Sequence, residues 1–273
     1  MTALSVSVVI RTRDKETHFE RLIESLSMQT ICPSEIIIVD NYSTKRKLHE
    51  LRRILQKTVA KCFKEKVGLK LVPLADDDFS HAYSTNLGVN AAENELVCLT
   101  NAHSLPVSLY WLQDGLRHFE NPNTAGVSGF FIAHPERASF ESVNEWIYVL
   151  GQKMFLRQDW CSTVNCIIRK SLWQIYPFDE KLLQIIPESK RYGLEDYDWS
   201  KEMVARGYRI VIDQAFSVFH SHERGINDIT RNVKRYFIYR RIQQKINQFT
   251  RPRKSFSKVF QAKYPKQTME ISV

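Results

Sequence analysis

Residues 35–41 read EIIIVDN. Four successive β-branched side chains favour an extended chain, and an unbroken apolar run marks a strand covered on both faces. The run stops at Asp40 and Asn41, residues that suit a turn and can also meet a ligand. Similar runs lie on either side: VSVVIR (6–11), LKLVPL (69–74) and ELVCLTN (95–101). Helical patterns separate them. Phe19, Leu22, Ile23 and Leu26 recur at helical spacing before Pro33 breaks the pattern. LHELRRILQKTVAKCF (48–63) is amphipathic and charged, and HAYSTNLGVNAAEN (81–94) places Leu87 and Ala91 on one face. Buried strands alternating with helices predict an α/β fold, a mostly parallel sheet flanked by helices. Ligands in such sheets sit beyond the carboxyl ends of the strands, where Arg11, Thr12, Asp40, Asn41 and the Asn101–His103 group all fall. Neither GxGxxG nor a GxxxxGK[ST] loop is present, so a standard dinucleotide site and a P-loop have no support.

Further along, SLYWLQDGLRHF (108–119) reads as a helix, GVSGFFIA (126–133) as a strand and 145–154 as a helix. Residues 166–168 form a short strand, and DYDWSKEMVARGYRIVI (196–212) is a helix closed at Gly207 and followed by a strand. In the last segment Ile229, Val233, Phe237, Ile242, Ile246 and Phe249 fall about one face apart among Lys and Arg. That pattern is a basic amphipathic helix, able to pack on its own core, a partner or a membrane interface. The stretch after Phe249 is expected to be partly ordered.

The chain of 273 residues carries a formal charge of +9, concentrated at one end: residues 224–266 hold thirteen Lys or Arg against one acid, Asp228. Such a segment suits nucleic acid, an anionic membrane or an acidic partner, or simply a solvated face. No RNA motif or interleaved aromatic strand accompanies it, which argues against nucleic acid. Five dispersed cysteines without a CxxC pair fit reduced thiols. No run is long and apolar enough for a transmembrane helix, and the N-terminus lacks the pattern of a signal or transit peptide. A cytoplasmic location is expected, with the inner face of the membrane as an option.

Polar groups gather in GLEDYD (193–198) and FHSHERG (219–225). Asp196 at a helix start can accept a proton or act as a cap, and neighbouring Glu195 opposes joint ionisation if both are buried. His220 and His222 have strand spacing and face the same way. They can share a metal or lie on an exposed strand end.

Taken in order, VSVVIRTRDK, EIIIVDNYST, DFSHAYSTNLGVNAAENELVCLTNAHSLP, WL at 111–112 and GLEDYDWSKEMVARGYRI resemble a family 2 glycosyltransferase with the GT-A fold, of the bacterial polysaccharide-assembly type. The likeness runs from Val6 to about Gly225. It implies one Rossmann-like domain over 1–225, with a nucleotide-binding half (about 1–105), an acceptor half (about 106–225) and a basic helix and tail over 226–273.

The resemblance also implies roles. Arg11, Thr12 and Arg13 match the turn around the nucleotide, Asp40 with Asn41 meets base or ribose, and Asn86 and Asn101 lie on the donor side. Relatives often carry Arg just ahead of that Asn, where this chain has Tyr83, Ser84 and Thr85. The Asp-x-Asp corner that holds a divalent cation is replaced by Asn101, Ala102 and His103. The implied metal ligands are His103 with His222 or His220, and imidazole suits Mn2+ better than Mg2+. Asp196 matches the general base of an inverting transfer, and Glu195 orients the acceptor or the base. Trp160, Tyr197 and Trp199 are candidate sugar platforms. The implied partners are a nucleoside-diphosphate sugar and a saccharide or lipid-linked saccharide, with membrane contact or a homodimer through the C-terminal helix. The alternative is a non-catalytic nucleotide-sugar or carbohydrate-binding protein on the same scaffold, against which retention of Asp196 speaks.

Overall fold

The computed structural model describes residues 5–16, 18–132, 160–220, 229–261 and 268–272, with 229–233 described by backbone alone. The expected helix at 145–154 and His222 lie outside these residues. The first half alternates β1 (Val6–Thr12), α1 (Phe19–Ser27), β2 (Glu35–Tyr42), α2 (Lys45–Cys62), β3 (Gly68–Ala75), α3 (His81–Ala91) and β4 (Leu96–Asn101). The second half holds β5 (Ser104–Pro106), α4 (Trp111–Leu116), β6 (Thr124–Ser128), β7 (Phe131–Ile132), β8 (Asn165–Arg169) and α5 (Lys170–Ile175). It continues with α6 (Glu195–Ala205), β9 (Arg209–Ile212), β10 (Val218–His220), α7 (Ile229–Asn247) and β11 (Met269–Glu270).

Eight strands form the main sheet in the order β11-β3-β2-β1-β4-β8-β6-β9, and β5-β10-β7 make a small second sheet. β1 pairs in parallel with both β2 and β4, and β2 with β3, whereas β8 and β11 run antiparallel to their neighbours. The fold is therefore the expected α/β sheet flanked by helices. The unbroken strand runs divide by alternation. Ile36 and Ile38 join Val8, Leu22, Leu51 and Trp111 on one face, while Ile37 and Val39 join Val9, Val89, Trp173 and Trp199 on the other. α3 lies tight on the second face at Gly88, where a Cβ would come within 2.3 Å of Val9 Cγ1. The expected strand at 126–133 divides into β6 and β7.

The expected C-terminal helix is present and packs on the core, one of the placements its pattern allowed, whereas the tail departs from the expectation of partial order. Ile242 and Ile246 of α7 are fully buried against Leu182, Ile186, Leu194 and Tyr197, with Ile238, Tyr239 and Phe249 alongside. Burial of each isoleucine contributes about 1.5–3 kcal/mol. The expected apolar stripe is corrected at Phe237, which is 63% exposed. A face built on 242 and 246 takes in 238 and 249 at spacings of three and four, and rotates 237 outward.

Beyond the helix the chain is strapped to the core. Arg251 bonds Asp198 Oδ1 at 2.7 Å and Glu202 Oε2 at 2.8 Å, and Arg253 reaches Asp198, Asp179 and the Tyr176 hydroxyl. Ser257 Oγ donates to Glu180 Oε1, and β11 closes the edge of β3. Two buried carboxylates, Asp198 and Glu202, thus depend on arginines supplied from the tail. Among the described residues no helix is long and apolar enough to cross a membrane.

Candidate active site

The parallel register brings the polar strand ends to one edge. Thr12 lies opposite Asp40, and Arg11 lies between Val39 and Asn101. Two corners form there.

The first surrounds Asp40, whose Oδ1 accepts the Asp14 backbone N–H at 2.8 Å. Asp14 has φ 55°, a left-handed turn that aims its N–H back at the strand end. Its carboxylate accepts from Ser43 and from Lys47 Nζ at 2.9 Å. Burial, with Asp14 and Glu16 adding negative charge, pushes the Asp40 carboxyl up to about 7 even though the Asp14 amide opposes the shift. Asp40 Oδ2 and Asn41 Oδ1 are buried without hydrogen-bond partners among the described residues. Asn41 Nδ2 and Arg13 both bond Asp76, the Arg13 pair being solvent-exposed. Thr12 Oγ1 donates to Asp14 O at 2.8 Å.

Beside this corner His103 Nδ1 contacts Glu16 Oε2, and the His103 ring stacks on His220 at 4.5 Å. Burial raises the Glu16 carboxyl, but His103, the Arg13 amide and the Thr12 hydroxyl together outweigh it and hold Glu16 below the ordinary value. His220 Nδ1 lies 2.9 Å from Ser104 Oγ across the β5–β10 pair. Among the described residues no three His, Cys, Asp or Glu side chains converge as a metal site. The donor chemistry nevertheless fits a cation shared with a ligand. A carboxylate on Nδ1 is the usual partner of a metal-binding imidazole, because it sets the tautomer that leaves the lone pair on Nε2.

The second corner centres on Arg11, which crosses to three elements. Its guanidinium donates to Thr85 Oγ1 at 3.1 Å, Asn101 Oδ1 at 3.2 Å and Thr163 Oγ1 at 3.1 Å. The backbone N–H of Thr163 donates to Asp196 Oδ2 at 3.0 Å. Gly193 (φ 73°) and Leu194 (φ 78°) turn the chain sharply so that α6 opens on Glu195 and Asp196. Both carboxyls are buried. Burial and the charge of Glu195 push Asp196 up to about 7, although the Thr163 and Tyr197 amides and Arg11 draw it down. Burial also raises Glu195, against the pull of Arg11. His81 is held neutral, pushed down to about 4 by burial and by Arg11.

Arg11 therefore joins Asn101 to the acids, away from Arg13 and Asp76. Asn86 is corrected: its side chain is fully buried and bonded to Phe178, Glu180, Ser257 and Trp173, so it ties α3 to the tail and does not line the cleft. Trp199 is likewise core, fully buried beside Phe178. Tyr197 is buried with its hydroxyl on Asn247, and Trp160 is half-buried edge-on to it. Sequence reasoning missed Asp14, Glu16, His81 and Thr163. Asp14 and His81 lie inside stretches that carry the resemblance but have no role assigned by it, Glu16 and Thr163 lie outside them, and each acquires its place through a neighbour distant in sequence.

The family model described as "Glycosyl transferase family 2" matches residues 7–174. Among curated proteins no sequence matches. Solved structures match over most of the chain. The mannosyltransferase PcManGT from Pyrobaculum calidifontis, in complex with GDP-Man and Mn2+, is 17% identical with a TM-score of 0.64, covering 92% of this chain and 67% of that one. S. aureus TarS 1-349 in complex with UDP-GlcNAc is 19% identical with a TM-score of 0.51, covering 81% of this chain and 59% of that one. Glucosyl-3-phosphoglycerate synthase from Mycobacterium tuberculosis is 11% identical with a TM-score of 0.54, covering 91% of this chain and 81% of that one. At these identities the likenesses establish the fold, a GT-A arrangement. The family match spans more than half of the sequence, and with it the chain belongs to glycosyl transferase family 2.

Proposed function

We propose that the chain is an inverting glycosyltransferase moving a sugar from a nucleoside-diphosphate sugar to a saccharide or lipid-linked saccharide, with Asp196 as general base. The observation that carries this reading is the state of Asp196: a buried carboxyl raised to about 7 by burial and by Glu195, held by the Thr163 amide beside Arg11. A base whose proton affinity lies near the working pH is well matched to a hydroxyl nucleophile. As the acceptor oxygen bonds to the anomeric carbon, its proton passes to Asp196. The bond to the diphosphate oxygen breaks on the opposite face, and the diphosphate leaves with the electron pair. Glu195 keeps the proton affinity of the pair high, and Arg11 limits that rise while fixing Thr163.

Asp40 and Asn41 offer buried acceptor atoms to the base or ribose, and Arg13 and Thr12 border the same corner. Asn101 and His103 take the place of the carboxylates of an Asp-x-Asp corner. A divalent cation, Mn2+ in preference to Mg2+, would be held by His103 and by His220 or His222, with diphosphate oxygens completing its shell. When bound it supplies positive charge that stabilises the departing diphosphate. The mannosyltransferase of similar fold was solved with Mn2+, in line with this assignment. We assign residues 1–225 to the transferase core, its first half to the nucleotide and its second to the acceptor, and treat the chain from 226 as a basic extension folded onto it.

The test is calorimetry with UDP, GDP, CDP and dTDP, with and without Mn2+, on the parent chain and Asp196→Asn. At least one nucleotide should bind both proteins alike. Turnover of its sugar should fall about 100-fold or more in the variant, the scale of a lost general base. Normal turnover in Asp196→Asn sinks the base, and absence of any nucleotide binding sinks the function.

A further inference from the structure

An open cavity of about 610 Å³ lies between residues 187–192 and α7. Three cations line it, Lys190, Arg191 and Arg241, with Tyr192 and Ile238 forming apolar wall. The carboxylate that lines it, Glu188, is engaged at Oε1 by a fourth cation, Lys245 Nζ at 2.8 Å, while its Oε2 has no hydrogen-bond partner among the described residues. Arg191 stacks over Tyr192 with its guanidinium 5.7 Å from the ring centre. Three exposed cations thus converge on one open concavity, where their fields add. Of the cations on α7, Arg241 faces this cavity, whereas Lys234, Arg235 and Arg240 lie outside its lining.

Position supplies the second argument. A much smaller cavity, about 20 Å³, reaches Glu195 and is also lined by His81, Asp179, Ser189, Lys190 and Gly193. Lys190 lines both spaces, so the cationic cavity connects through Lys190 to the space that Glu195, the neighbour of the proposed base in sequence, helps to line. No residue of β1, β2 or β4, the strands that end at the Asp40 corner, lines either cavity. The larger one is wide enough for a small ligand, and arginine and lysine together favour a phosphate oxygen cluster.

We infer that this cavity is an acceptor subsite that takes a phosphate group carried by the acceptor. The assignment of an acceptor side rests on the reading of Asp196 as base. Phosphate reaches the cavity either on a soluble phosphorylated saccharide or as part of a lipid headgroup, and the chemistry of capture is the same for both.

The test uses the full chain and the double variant K190Q/R241Q. Both positions are exposed, and thermal melts check that the variant is folded. Titration with inorganic phosphate and with glycerol 1-phosphate, at fixed ionic strength, should show saturable binding that is about tenfold weaker in the variant, as loss of two charge-assisted contacts implies. Flotation with phosphatidylglycerol vesicles, against phosphatidylcholine vesicles, separates the sources. Vesicle binding lost in the variant assigns the phosphate to a headgroup, and binding of the soluble phosphates alone assigns it to a soluble acceptor. Unsaturable binding, or equal affinity in parent and variant, overturns the subsite. Nucleoside diphosphate binding is read in the same proteins. If no nucleotide binds while phosphate capture still depends on Lys190 and Arg241, the donor reading fails and the anion site stands.

Discussion

Three acids within GLEDYD have two different fates, and their spacing does not announce them. Glu195 and Asp196 share a buried site with too little positive charge, which keeps their proton affinity high. Asp198, two residues on, faces inward to Arg251, Arg253 and Tyr176 and serves the fold. Asp40, buried at the end of β2, offers a separate test. Its folded value of about 7 lies above the ordinary 3.8, so the stability it contributes is fully present below about pH 4. That stability is lost as pH rises through 7. Asp40→Asn removes the charge while keeping the Oδ1 contact to Asp14, so the ligand-free variant should melt above the parent near pH 8. The gap should close toward about pH 4, as read by thermal denaturation at several pH values. A constant gap would mean that Asp40 is not strained by its charge. The strand-end residues Arg11, Thr12, Asp40, Asn41 and Asn101 were legible because turn-forming polar residues end apolar runs. His81 and Thr163 were not, since their roles depend on packing against Glu195, Asp196 and Arg11.

At the level of elements, α7 exposes the limit of periodicity. Its sequence carries apolar residues at enough positions that two faces compete. The contact with Leu182, Ile186 and Leu194 decides for Ile242 and Ile246. Ile242→Ala should lower stability by about 2–5 kcal/mol, the usual cost of a large-to-small change in a packed core. Phe237→Ala should change it by less than about 0.5 kcal/mol, because its ring is largely in water. Urea midpoints of the two variants measure this directly, and equal costs would place the helix in another rotation. The strap after α7 tests a different force. Arg251→Ala leaves Asp198 and Glu202 with one fewer buried cation, and loss of a partner from a buried ion pair costs about 3–5 kcal/mol.

On the scale of the whole molecule, the C-terminal region belongs to the fold despite its basic composition. It supplies the arginines for buried carboxylates, a serine for Glu180 and a strand for the edge of β3. A chain ending at residue 249 should therefore melt well below the full chain, or aggregate through the bared edge. An unchanged melting temperature would make residues 250–273 a true appendage. The sequence by itself determined the α/β class and the edge of the sheet where the polar residues collect. Those follow from local rules: β-branched runs extend, amphipathic runs coil, and parallel strands end together. Tertiary structure alone decided which candidate residues are buried and what each one touches. It drew Asn86 and Trp199 into the core, joined Arg11 to Thr85, Asn101 and Thr163, and brought Lys190, Arg191 and Arg241 around one cavity. The reason is physical: burial and the proximity of charges depend on neighbours far apart in sequence, and no local pattern encodes them.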